Sequence, residues 1–102
     1  MTGINNVGVG GSALLNITTG SNNTANGMFA LYYNTTASDN TANGYQALLS
    51  NTTGYQNTAN GLNALYFNTT GYFNTANGAN ADRKSTRLNS SHIQKSRMPS
   101  SA

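Results

Sequence analysis

A single period of 17 residues, kept without insertion along most of the chain, restricts the fold more than any other feature of this sequence. The string Asn-Thr-Ala-Asn-Gly begins at Asn23, Asn40, Asn57 and Asn74, so its glycine recurs at Gly27, Gly44, Gly61 and Gly78. Ala30, Ala47, Ala64 and Ala81 keep the same step, Leu31, Leu48 and Leu65 follow them, and Asn-Thr-Thr triplets start at Asn34, Asn51 and Asn68. A degenerate first copy stays in phase through Gly10, Ala13, Leu14, Thr18 and Thr19. A short fixed period without insertions means equal units stacked on one another, each burying its apolar side against the next.

The composition of the unit decides its geometry. Seventeen residues are too few for a helix pair with its turns, and Asn, Thr and Gly are mediocre to poor helix formers. Extended chain fits better: at roughly 3.3 Å per residue one repeat has a contour of about 55 Å, enough for one flattened coil with neighbours about 4.8 Å away. The expected fold is all-β, a parallel β-solenoid or β-roll with one coil per repeat and Ala30, Ala47 and Ala64 stacked in register. Ala and Leu fill a narrow interior, Gly permits the turns, and stacked asparagines bond coil to coil. Two segments of each repeat, T-A-N-G-x-x-A-L and N-T-T-G-Y-x, are the predicted strand-plus-turn halves, each opening at an asparagine suited to a turn.

Aromatic residues occupy the variable columns. Tyr32 and Tyr66 flank Leu49, Tyr33 and Phe67 flank Ser50, and Tyr55 stands one repeat before Tyr72. A coil of this size has little room inside for six rings. Several are expected on the outside, where they form an apolar patch that favours self-association; the alternative is that they close the ends of each coil's own core. Tyr32, Tyr33, Tyr55, Tyr66, Phe67 and Tyr72 are therefore the candidate self-association residues, with a homotrimer the expected assembly.

The formal charge of +3 invites a nucleic-acid reading until the charges are located. Arg83, Lys84, Arg87, Lys95 and Arg97 all lie after Ala81, as does His92, whereas Asp39 is the sole charged side chain before it. The repeat phase also stops there: Asp82 stands where a leucine is due. Residues 82–102 resemble the codon-by-codon translation of a short-read sequencing-library adapter, matching its first arm from Asp82 to His92 and its far arm from Ser96 to Ala102. That resemblance implies a non-native tail, to be set aside in functional reasoning, so that Lys84, Arg87 and Lys95 are not a phosphate-binding patch and His92 is neither ligand nor base. It also implies that residues 1–81 are a fragment of a longer protein, in which Met1 need not be the true start.

The run NTANGYQALLSNTTGYQNTANG resembles the NTAxGxxALxxNTTG arrays of bacterial surface proteins and phage tail-fibre proteins, repeats similar to the trimeric autotransporter head. The resemblance covers residues 3–81 and implies a trimeric parallel β-roll, often followed by a self-cleaving chaperone domain that has no counterpart here. Many of those arrays carry Ile or Val where this chain has Asn26, Asn43, Asn60 and Asn77. The expected function is a structural and adhesive stalk or head on a cell surface or virion, with an unknown surface receptor and no membrane or nucleic-acid contact by this segment. The alternatives are an ice-binding solenoid built on the columns through Thr24, Thr41, Thr58 and Thr75, or a disordered Asn-rich segment. Enzyme chemistry is not expected: Asp39 has no partner carboxylate, Cys is absent, and no metal set or cofactor site is present. Gly8, Gly10 and Gly11 lack the lysine of a phosphate loop, and the sequons at Asn16, Asn34, Asn51 and Asn68 follow from the repeat itself.

Overall fold

The computed structural model describes residues 3–81, and they form a parallel β-solenoid. Five strands, β1 (Val7–Val9), β2 (Thr24–Asn26), β3 (Thr41–Asn43), β4 (Thr58–Asn60) and β5 (Thr75–Asn77), lie side by side in chain order in one sheet. Every pairing is parallel and in repeat register, Thr24 against Thr41 and Thr41 against Thr58, Ala25 against Ala42 and Ala42 against Ala59. The stacking of like on like therefore follows the 17-residue phase. Outside the sheet the same register holds, since the amides of Leu14, Leu31, Leu48 and Leu65 each donate to the alanine carbonyl of the next coil, Ala30, Ala47, Ala64 and Ala81, at 3.0–3.1 Å.

Each coil holds one strand of three residues where two were expected. The Asn-Thr-Thr-Gly segment is not extended. In it the amides of Thr52, Thr53 and Gly54 all turn onto the single carbonyl of Thr69 at 3.0–3.1 Å, and those of Thr18, Thr19 and Gly20 onto Thr35 at 2.9–3.2 Å. Three consecutive N–H groups can converge on one acceptor only if the backbone curls, which removes the pleat a second strand needs.

The chain closes so tight a loop by repeated use of the left-handed region. Three non-glycine columns have positive φ: Asn5, Asn22, Asp39, Gln56 and Phe73; Ser12, Phe29, Gln46, Asn63 and Asn80; and Leu14, Leu31, Leu48 and Leu65, these last at 52–56°. For leucine this conformation costs about 1–2 kcal/mol. It is offset by complete burial of Leu31, Leu48 and Leu65 and by the inter-coil hydrogen bond each makes. The fourth column is glycine throughout, and here no other residue fits: φ is 126° at Gly44, and a Cβ there would sit 2.6 Å from the carbonyl oxygen of Gly61.

The interior is narrow. Ala25, Ala42, Ala59 and Ala76 point inward from the strands and meet Ala30, Ala47, Ala64 and the leucine column, all fully buried except Leu14 at 6% exposure. Among the described residues no buried side chain is larger than leucine. The composition explains this, because a coil with one short sheet and otherwise curled backbone encloses room for about one leucine per layer.

Candidate functional site: the asparagine frame and the aromatic columns

About a third of the buried side chains among the described residues are polar, seven asparagines beside thirteen alanines and leucines, and their hydrogen bonds set where the outer surface lies. Asn23, Asn40, Asn57 and Asn74, immediately before the strands, are fully buried. In this column each Oδ1 accepts the backbone N–H of the asparagine one coil on, Asn23 from Asn40 at 3.0 Å and Asn40 from Asn57 at 2.9 Å. The Nδ2 groups of Asn23, Asn40 and Asn57 each donate to a carbonyl fourteen residues ahead, Asn23 to Ala37 at 2.8 Å, Asn40 to Gly54 at 2.9 Å and Asn57 to Gly71 at 2.8 Å. A second buried column runs through Asn34, Asn51 and Asn68, where Asn51 Nδ2 donates to Asn34 Oδ1 at 3.0 Å and Asn68 Nδ2 to Asn51 Oδ1 at 2.9 Å. The two columns meet: the Gly54 carbonyl accepts from both Asn40 and Asn51 at 2.9 Å, and the Gly71 carbonyl from both Asn57 and Asn68. Buried amides so paired avoid the penalty of orphaned polar groups and fix the spacing of the coils. Three of the sequons, at Asn34, Asn51 and Asn68, are thereby sealed inside the core.

The third asparagine column, the one that departs from the resembling arrays, lies on the outer face of the sheet. Asn26 and Asn77 are exposed, Asn43 and Asn60 half-buried. Asn43 Nδ2 donates to Asn60 Oδ1 and Asn60 Nδ2 to Asn77 Oδ1, both at 2.8 Å. Strand alternation requires this placement: Ala25 points in, so Thr24 and Asn26 point out.

With Ala, Leu and Asn filling the interior, the rings stand outside it. Tyr33 is 50% exposed, and Tyr55, Phe67 and Tyr72 are exposed at 36–41%, while Tyr32 and Tyr66 are half-buried. The structure brings the six candidates together in pairs. Tyr32 meets Tyr33 edge to face at 4.7 Å, Tyr66 meets Phe67 in the same way at 4.6 Å, and Tyr55 stacks on Tyr72 at 5.0 Å with planes 3° apart. The stacked pair is a direct product of the register, two identical positions one coil apart.

Sequence reasoning left out Phe29, Tyr45 and Phe73. Phe29 packs edge to face on Tyr32 at 5.3 Å and approaches Tyr45 at 6.4 Å, and Phe73 contacts both Tyr55 and Tyr72 at 5.5 Å. Met28, Tyr45 and Leu62 share one exposed column, and that step of 17 was the available signal. Two aromatic areas result, one on the stretch after the glycine turn and one between Gly54 and Asn57 and its counterpart a coil later. Among the described residues no group of three or more His, Cys, Asp or Glu gathers, and Asp39 is exposed and is the one ionisable carboxylate. Comparison with protein-family models, with curated proteins and with solved structures finds no match.

Proposed function

We propose that this repeat region is a structural and adhesive module, a stalk or head element of a bacterial cell-surface or phage tail-fibre-like protein, working as a homotrimer outside the cell. The observation that carries the reading is the exposure of the aromatic columns on an otherwise neutral rod. Tyr33, Tyr45, Tyr55, Phe67, Tyr72 and Phe73 all present a third or more of their surface to solvent. A half-exposed ring that becomes covered gains about 2 kcal/mol, at about 25 cal/mol per Å². Columns of such rings repeat along the stack axis, so one chain laid parallel to another matches ladder to ladder, and closed symmetry covers all copies equally. The near absence of charge suits a shaft, because ladders of like charge 4.8 Å apart would repel in every layer.

Sedimentation equilibrium tests the reading. The chain is expected at three times its own mass; the double substitution Tyr66→Ser with Phe67→Ser should dissociate or unfold it, whereas Thr52→Ser with Thr53→Ser should leave it assembled. A folded monomer at all concentrations would overturn the association.

A further inference from the structure

Asn26, Asn43, Asn60 and Asn77 are each followed by glycine. An Asn-Gly step is open to one spontaneous reaction. The glycine nitrogen, having lost its proton, attacks the asparagine Cγ; the bond from Cγ to the carboxamide nitrogen breaks and that nitrogen leaves as ammonia. Water then opens the cyclic imide to aspartate or isoaspartate, with no change of oxidation state. Glycine permits the attack because it has no Cβ to block the approach.

The fold treats these four identical dipeptides unequally. In all of them the attacking nitrogen is tied to the preceding coil: Gly27 donates to Val9, Gly44 to Asn26, Gly61 to Asn43 and Gly78 to Asn60, at 2.7–2.8 Å. For Gly44, Gly61 and Gly78 that acceptor belongs to β2, β3 or β4, each flanked by strands on both sides with a fully buried alanine at its centre. For Gly27 the acceptor belongs to β1, the edge strand. All three residues of β1 are exposed, and Gly8 stands where the other strands have their alanine. Opening of an edge element with few buried contacts costs far less than opening an interior one.

The electrophile is unequal too. The carboxamides of Asn43, Asn60 and Asn77 are held in the outer ladder at 2.8 Å. That ladder does not reach Asn26, whose side chain is exposed and makes no hydrogen bond to another residue of the solenoid. Asn77-Gly78 lies on β5, the other edge strand, but its carboxamide is held by Asn60 Nδ2, so a carboxamide outside the ladder and a nitrogen bonded to an edge strand coincide at Asn26-Gly27.

We propose that Asn26-Gly27 is a site of spontaneous deamidation and isoaspartate formation in the folded chain, and that Asn43 and Asn60 are kept intact by the ladder and the interior coils. The product alters the stack. Isoaspartate adds a methylene to the backbone of β2, displacing the Val9 and Gly27 pairing and making loss of the first coil permanent.

The test is to incubate the full chain in mildly alkaline buffer, digest it with chymotrypsin, and follow each Asn-Gly peptide by mass spectrometry with electron-transfer fragmentation, which separates isoaspartate from aspartate. In native buffer Asn26 should react at least about tenfold faster than Asn43 and Asn60, and in concentrated guanidinium the three should agree within about twofold. Equal rates in native buffer, or faster loss at Asn43 or Asn60, would overturn the assignment.

Discussion

Replacing Asn51 with alanine separates a buried polar frame from a merely decorative ladder. Asn51 is fully buried and makes three side-chain hydrogen bonds: its Nδ2 donates to Asn34 Oδ1 at 3.0 Å and to the Gly54 carbonyl at 2.9 Å, and its Oδ1 accepts from Asn68 Nδ2 at 2.9 Å. The consequences for the partners differ. The Gly54 carbonyl keeps Asn40 and Asn68 Nδ2 keeps the Gly71 carbonyl, but Asn34 Oδ1 loses its inter-coil donor inside the core. One orphaned buried acceptor costs about 2 kcal/mol, and the two bonds whose partners keep another contact about 0.5 kcal/mol each, so the total is about 3 kcal/mol. For a domain of this size that is a fall in melting temperature of about 12–24 °C.

The comparison is Asn60→Ala. Asn60 also sits mid-ladder, accepting from Asn43 and donating to Asn77 at 2.8 Å, but on the solvent side of the sheet. Water replaces both bonds there, and the expected cost is below about 1 kcal/mol. Thermal and denaturant unfolding followed by circular dichroism measures both variants. If Asn51→Ala costs no more than Asn60→Ala, the interior asparagines do not hold the coils together and the account of the core is wrong.

Two further substitutions probe the columns. Gly44→Ala should cost about 3 kcal/mol or more, because φ is 126° and the new Cβ would stand 2.6 Å from the Gly61 oxygen, whereas Gly11→Ala, whose nearest neighbour is the flexible end of Met28 at 3.7 Å, should change stability by less than about 0.5 kcal/mol; denaturant midpoints read both. Ile17→Asn would carry the second buried asparagine column into the first coil, offering an oxygen to Asn34 Nδ2, and should shift stability by less than about 1 kcal/mol, while Leu14→Asn, placed in a column with no such ladder, should cost several times that by the same assay.

The period, the parallel stacking and the inward alanine and leucine columns were legible in the sequence, because identical residues at a fixed step can be satisfied together only by layers in register. The second strand was misread. Asn-Thr-Thr-Gly has the β-branched content of a strand, and nothing in residue type reveals that Thr52, Thr53 and Gly54 turn their amides onto one carbonyl. The left-handed conformations of Leu31, Leu48 and Leu65 were equally hidden, since leucine alone argues against them and only burial in the closed coil compensates. The candidate rings are on the surface, yet Phe29, Tyr45 and Phe73 complete their groups and were passed over because they recur less regularly than the columns beside them. The residue that distinguishes the three asparagine columns is the neighbour: next to an inward alanine on a strand the side chain must face out, and before the strand or at the start of the curled segment it faces in.

The two side-chain ladders also run in opposite directions. In the buried column each amide group donates toward the start of the chain, Asn68 to Asn51 to Asn34, whereas in the outer column each donates toward its end, Asn43 to Asn60 to Asn77. An α-helix aligns all its peptide dipoles and gathers partial charge at its ends. Here every added coil contributes one side-chain amide dipole of each sense, and the pair nearly cancels. Lengthening the stack therefore builds up little axial field from these two ladders.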